Sequence, residues 1–121
     1  MDIQGRTEIE YLVKVFYDKV KADQFIGGFF NNEHKIDWTL LLNAMTDFWD
    51  NAVFYSGNYD GNPMQSHLQV HQHMHMSQAH FDHWNTMFED TIDEMFEGEN
   101  TERLKDCARS ISNVIQNRLF Q

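Results

Sequence analysis

The chain has 121 residues, of which 41% are hydrophobic and 14% aromatic; these values fit one globular domain over residues 1–121 and exclude an intrinsically disordered chain. The net charge of −10 disfavours nucleic acids and anionic membranes as partners. A single cysteine, no apolar run near the ~20 residues of a membrane span and no signal-peptide pattern together predict a cytoplasmic protein without disulfides.

The first half of the chain predicts two long helices. Thr7 and Glu10 have the spacing of a capping box, and apolar residues recur behind them at helical intervals. The first helix is therefore expected over about residues 8–21. Asp37 is the expected N-cap of the second helix, which should stop by Gly57.

The second half predicts one short helix and two further long ones. Pro63 suits the first turn of the short helix, which runs to about Val70. Ser77 is the expected N-cap of the third long helix, Gly98 its expected end, and Asn100 the expected N-cap of the last helix. No convincing period-two run appears, so the predicted fold class is all-α.

Histidines are concentrated in one segment, because six of the seven lie among the seventeen residues 67–83. Imidazole is a good ligand for zinc, copper and nickel, so one reading of this segment is a transition-metal site. Zinc-type Cys/His spacing is absent, and an exposed polar loop is the simpler explanation for three of them: His71, His73 and His75. His67 differs, because it lies on the predicted short helix between the apolar residues Met64 and Leu68.

Six short segments follow one another in a recognisable order along almost the whole chain: residues 15–20, 29–32, 47–49, 57–67, 80–84 and 93–98. The most specific features are a histidine after an Asn-Pro-Met turn, at His67, and a helix start with the pattern His-Phe-Asp-x-Trp, ending at Trp84. Each segment is weak evidence alone. As an ordered set, they resemble the truncated haemoglobins of the third group.

The resemblance implies a two-over-two helical sandwich around haem, with a small diatomic ligand (O₂, NO or CO) at the iron. Because the chain has no Cys-x-x-Cys-His motif, the expected cofactor is haem b held without covalent attachment. By position, His67 corresponds to the axial ligand of the iron, and Tyr17 and Trp84 to the residues that face the gas. The resemblance also implies five apolar residues in contact with the haem: Phe16, Phe30, Met45, Met64 and Phe81.

One position departs from the pattern of this family. A histidine often stands three residues after the tryptophan of the second helix, here Trp38, and in this chain that position is Leu41. The distal pocket is therefore expected to be dry and to lack an imidazole base, which assists the cleavage of a peroxide bond. Tyr17 and Trp84 remain as the hydrogen-bond donors.

Two donors in a low-dielectric pocket predict tight binding of O₂, which favours scavenging, redox chemistry or sensing over oxygen delivery. NO dioxygenation, weak peroxidase activity and signalling all stay open. The first would need an electron-donor reductase as partner, since the chain has no flavin or nicotinamide motif. Two alternatives stay open as well: a histidine-rich protein that handles a transition metal without haem, and a helical interaction module with a vestigial pocket.

Overall fold

The computed structural model describes residues 1–27, 37–54 and 77–119 of the chain. This part of the chain contains four helices and no strand: α1 (Arg6–Ala22), α2 (Trp38–Phe54), α3 (Gln78–Met95) and α4 (Glu99–Leu119). None of these helices is both long and apolar enough to cross a membrane. The all-α prediction is confirmed. The predicted short helix after Pro63 lies outside the described residues.

The four helices pack as two pairs. Helix α1 packs against α2 and α3, and α4 packs against the same two helices. The pair α1–α2 therefore lies over the pair α3–α4, which is the two-over-two arrangement that the resemblance implied. Side chains from all four helices meet in one apolar core, in which residues such as Leu12, Val53, Ile92 and Leu104 are fully buried.

Helix α1 has the predicted apolar stripe but begins earlier than expected. Its first residue is Arg6, Gly5 is the N-cap, and no side chain caps the helix there. The prediction that Thr7 is the N-cap was therefore wrong, because Thr7 lies inside the first turn of the helix. The backbone N–H of Gln4 instead donates to Glu8 Oε1 at 2.9 Å, so an acidic side chain within the helix holds the preceding segment.

Helices α2 and α3 begin at the caps that the sequence predicts. Asp37 Oδ1 accepts a hydrogen bond from the backbone nitrogen of Leu40 at 3.1 Å. Ser77 Oγ accepts from the backbone nitrogen of His80 at 3.2 Å, and His80 Nδ1 accepts from the Ser77 nitrogen at 3.1 Å. The second arrangement is a capping box in which a histidine takes the place of the usual glutamate. Both caps fix where the helices that carry the site begin.

Helix α4 is capped from the opposite end of the chain. The Asp2 carboxylate accepts hydrogen bonds from the backbone nitrogens of Asn100 and Thr101, each at 2.9 Å. The prediction that Asn100 is the N-cap was therefore wrong; its side chain donates to the carbonyl of Ile3 at 2.8 Å. Helix α3 ends at Met95, three residues before the expected end at Gly98. The N-terminal segment thus joins the α3–α4 connection to α1.

Candidate ligand pocket

Adjacent aromatic residues of α1 meet two aromatic residues of α3 in the core. The Phe16 ring lies edge-on to Trp84, at 5.0 Å between centroids, and to Phe88, at 4.8 Å. Tyr17 lies 5.6 Å from Trp84, with 66° between the ring planes. The structure therefore brings together the two predicted hydrogen-bond donors, Tyr17 and Trp84, from helices that are separated by α2 in the sequence.

A small cavity lies beside these rings. Its volume is about 30 Å³, which is enough for one molecule of the size of water. Its walls come from three helices, α1, α2 and α3: Val13, Phe16, Tyr17, Met45, Trp49, Trp84 and Phe88. Among these described wall residues, the side chains are apolar except for the Tyr17 hydroxyl and the indole N–H groups of Trp49 and Trp84. The cavity therefore suits a small, weakly polar molecule that accepts a hydrogen bond.

Burial determines the protonation state of Tyr17. The residue is 6% exposed, and this desolvation raises the pKa of its phenol well above the ordinary value. A neutral phenol keeps its O–H group as a donor at every physiological pH. Tyr17 is therefore a permanent donor at this position, and not an acid that exchanges its proton.

The predicted residues on α2 differ in where they lie. Met45 lines the cavity, and one turn earlier Leu41 is partly buried at the edge of the core without forming a cavity wall.

Phe81, on the first turn of α3, is buried but is also not one of the wall residues. Phe16 packs against Trp84 and Phe88 and lines the cavity. Three predicted residues lie outside the described part of the chain: Phe30, Met64 and His67.

Trp49, Phe88 and Val13 line the cavity although sequence reasoning treated them as ordinary core or did not single them out. Each lies four residues from a predicted site residue on the same helix: Trp49 follows Met45, Phe88 follows Trp84, and Val13 precedes Tyr17. Residues four apart share one face of a helix. This four-residue spacing was the sequence signal that could have identified the three residues. It is not specific, because residues that line a pocket and residues of the ordinary core repeat along a helix at the same interval.

The two histidines of the cluster that fall in the described residues have structural partners. His80 takes part in the cap of α3, and its ring lies 4.5 Å from that of Phe25. His83 Nε2 lies 2.9 Å from Asp23 Oδ2. Desolvation raises the pKa of Asp23, but hydrogen bonds from His83 and from two backbone N–H groups outweigh it and lower the pKa. Both histidines thus anchor the start of α3, the helix that carries Trp84.

Residues 1–27, 37–54 and 77–119 contain no group of three histidine, cysteine or acidic side chains that is arranged to hold a metal ion. His71, His73 and His75 lie outside these residues. The part of the chain that the structure describes therefore offers aromatic walls to a small ligand, with the two predicted hydrogen-bond donors, Tyr17 and Trp84, among them, and no protein-only metal centre.

Comparison with known proteins places this geometry in a family. The model of the bacterial-like globin family matches residues 2–117. A group 3 truncated haemoglobin of Campylobacter jejuni is 27% identical over 120 residues, which cover 97% of this chain and 92% of that protein. The crystal structure of the group III truncated haemoglobin from Campylobacter jejuni superposes with a TM-score of 0.83 and 26% identity over 100% of this chain and 95% of that one. With a helical sandwich, an aromatic cavity and a family match over nearly its whole length, this chain belongs to the bacterial-like globins.

Proposed function

We propose that this globin binds haem b without covalent attachment and takes a diatomic gas, O₂ first, into the cavity beside Tyr17 and Trp84. The observation that carries the proposal is that a buried phenol, Tyr17, and an indole, Trp84, line a cavity of about 30 Å³ whose other described walls are apolar or aromatic. Membership of the globin family implies haem and a gaseous ligand in general. The cavity and its two donors support this particular ligand class.

The residues present fit a haem group. Haem is a flat apolar ring that needs apolar side chains against it, and the first two turns of α2 carry three such partly buried residues: Leu41, Leu42 and Met45. The resemblance assigns the axial ligand to His67 and further haem contacts to Phe30, Phe81 and Met64. When bound, the haem iron would supply the position at which a diatomic molecule coordinates.

Tyr17 and Trp84 determine the dissociation rate of the bound gas. Bound O₂ carries partial negative charge, and neutral donors stabilise that charge more in a low-dielectric cavity than in water. Tyr17 is buried, and Phe16 holds the Trp84 ring at 5.0 Å, so neither donor has far to move when the ligand arrives. Slow release favours scavenging, redox chemistry or sensing over delivery of oxygen.

The absence of a base at Leu41 limits the chemistry that this position can support. An aliphatic side chain neither accepts nor delivers a proton, so Leu41 cannot assist the cleavage of a peroxide bond. We therefore place ligand binding ahead of peroxidase activity. NO dioxygenation stays compatible with the site and requires a separate reductase to supply electrons.

The competing proposal is a histidine-rich protein that handles a transition metal without haem. Its candidate ligands His71, His73 and His75 lie outside the described residues. Two other histidines of the same segment, His80 and His83, are engaged in the cap of α3 and in the pair with Asp23. These contacts favour a structural role for both residues. The globin proposal accounts for the aromatic cavity as well, which the metal-handling proposal leaves without a purpose.

The decisive experiment is the absorption spectrum of the purified protein before and after addition of hemin, then with dithionite and CO. We expect an intense Soret band that shifts sharply with CO. A protein that takes up neither hemin nor CO, but binds nickel or copper, would instead support the metal-handling alternative. A protein that binds neither would be an interaction module.

A further inference from the structure

Trp38, the first residue of α2, packs against the proposed donor Tyr17. The two ring centroids are 6.0 Å apart, with 63° between the planes. Trp84 lies on the same phenol ring at 5.6 Å. The phenol is therefore in contact with two indoles, one from α2 and one from α3. Of these two, Trp84 is one of the described walls of the cavity and Trp38 is not; Trp38 contacts the wall residue Tyr17.

A lysine of α1 fixes the position of Trp38. The ammonium of Lys21 lies over the Trp38 ring, 4.5 Å from its centroid, which is a cation–π contact. Tyr17 and Lys21 are four residues apart on α1 and so share one face of that helix. Their side chains approach the same indole, Tyr17 from the buried side and Lys21 from the solvent side.

The charge arrangement keeps Lys21 in place. Lys21 Nζ is 3.6 Å from Asp18 Oδ1, and the lysine side chain is 41% exposed. Asp18, Lys21 and Trp38 form a chain of contacts from the surface to the phenol. Because the Lys21 ammonium is exposed to water, its contact with Trp38 contributes only modestly to stability. Lys21 can therefore be substituted without disturbing the apolar core.

We infer that Trp38, latched by Lys21, is a positioning residue that holds the Tyr17 phenol in its donating orientation and excludes water from it. This inference rests on the proposed function, in which Tyr17 donates to the gas. Its physical basis is that a hydrogen bond is strong only when its geometry is kept and competing water is absent. Trp38 serves both conditions through its contact with Tyr17, without being one of the described walls of the cavity.

The test compares four variants of the haem-loaded protein: Trp38→Leu, Lys21→Met, Lys21→Arg and, as matched control, Lys14→Met. Lys14 is an exposed lysine seven residues earlier on α1. We expect Trp38→Leu to speed O₂ dissociation by about 2- to 10-fold, the range for loss of one donor, and Lys21→Met by about 2-fold. Lys21→Arg, which keeps the cation, and Lys14→Met should match the parent protein.

Two further measurements separate positioning from general damage. In the Tyr17→Phe background, Trp38→Leu should have no additional effect on dissociation, because it acts through the phenol. The C–O stretching frequency of the carbon monoxide complex should rise in Trp38→Leu and Lys21→Met and be unchanged in Lys14→Met, since it reports donation to the ligand.

The outcomes also separate this inference from the function on which it rests. If Tyr17→Phe changes dissociation but neither Trp38→Leu nor Lys21→Met does, the inference is overturned and the proposed function stands. An additive effect of Trp38→Leu in the Tyr17→Phe background overturns it as well. If Tyr17→Phe itself has no effect, the donor role of Tyr17 fails, and the positioning role fails with it.

Discussion

The Asp2 carboxylate accepts a hydrogen bond from the backbone nitrogen of Thr101 at 2.9 Å, across ninety-nine positions of the sequence. Its oxygens also accept from the Thr101 hydroxyl at 2.7 Å and from the Asn100 nitrogen at 2.9 Å. Desolvation raises the pKa of Asp2, but these hydrogen bonds together with one from Ile3 outweigh it and lower the pKa from 3.8 to about 2. The ionised form of Asp2 is thus bound to the start of α4.

This contact predicts a pH-dependent contribution to stability. The folded pKa of Asp2 lies below its ordinary value, so the contribution is complete above about 3.8 and is lost as the pH falls towards about 2. Asp2→Ala should lower the free energy of unfolding at neutral pH by about 0.5–2 kcal/mol, as for other helix caps. Urea unfolding across this pH range should show the difference from the parent protein shrinking. Asp2→Asn is the control, since it keeps a capping oxygen but cannot titrate.

Gly98 predicts a second test at the same junction. Its φ of +140° is rarely adopted by residues with a side chain, and a Cβ there would collide with the Asp2 side chain. Gly98→Ala should therefore destabilise the fold by about 1–3 kcal/mol, measured by thermal or urea unfolding. Gly5 is the matched control, because its φ is −179° and nothing lies within 4 Å of its added Cβ. An equal loss in Gly5→Ala would contradict the role of backbone strain at Gly98.

The proposed roles of Tyr17 and Leu41 predict opposite effects on ligand kinetics. Tyr17→Phe removes a buried neutral donor worth about 0.5–1.5 kcal/mol, so O₂ dissociation should accelerate several-fold and autoxidation should rise. Leu41→Ala removes only an apolar side chain and should mainly change the association rate of CO. Stopped-flow measurements on both variants check this. An unchanged dissociation rate in Tyr17→Phe, with a large change in Leu41→Ala, would mean that another group approaches the ligand.

Leu41→His gives a gain-of-function test of the dry pocket. A histidine supplies the donor and base that this position lacks, so peroxidase turnover should increase or the ferric protein should become six-coordinate and low-spin. Absorption spectra and a peroxidase assay distinguish the two results. A variant that shows neither change would place residue 41 too far from the iron to reach it.

The assignment of His67 as axial ligand predicts a pattern across three histidine variants. His67→Ala should abolish stable haem uptake or leave a haem that added imidazole rescues. His71→Ala and His75→Ala should leave the ferrous CO spectrum almost unchanged. Hemin titration and CO difference spectra measure all three. Loss of haem in His71→Ala would shift the assigned position by one helical turn.

The sequence predicted the helices well because their apolar residues recur at helical spacing, and the caps at Asp37 and Ser77 act on residues three or four positions away. Sequence reasoning failed to identify the cap where the capping residue is far away in the sequence, as for α4, or where no side chain caps the helix, as for α1. Asp2 reaches α4 across almost the whole chain, so no local pattern near Asn100 could reveal it. Thr7 had a capping pattern, but the N-cap is Gly5, two residues earlier, and the Glu8 side chain holds the preceding segment instead.

For the site, periodicity alone could not separate pocket from core. The resemblance supplied Tyr17 and Trp84, and the structure places their rings 5.6 Å apart. Trp38 entered the sequence reasoning only as a reference point for Leu41, because a contact between the start of one helix and the middle of another leaves no trace in local spacing. Only the packing of α2 against α1 shows that Tyr17 and Lys21 both contact the Trp38 ring.

The link between Asp2 and Thr101 also bears on the order of events in folding. Closing a loop of this length costs chain entropy before the contact returns any energy, and such contacts form late. If the helix pairs assemble before this contact forms, its loss should leave the folding rate nearly unchanged and speed unfolding. The N-terminal segment thus governs the lifetime of the native state more than the speed with which that state is reached.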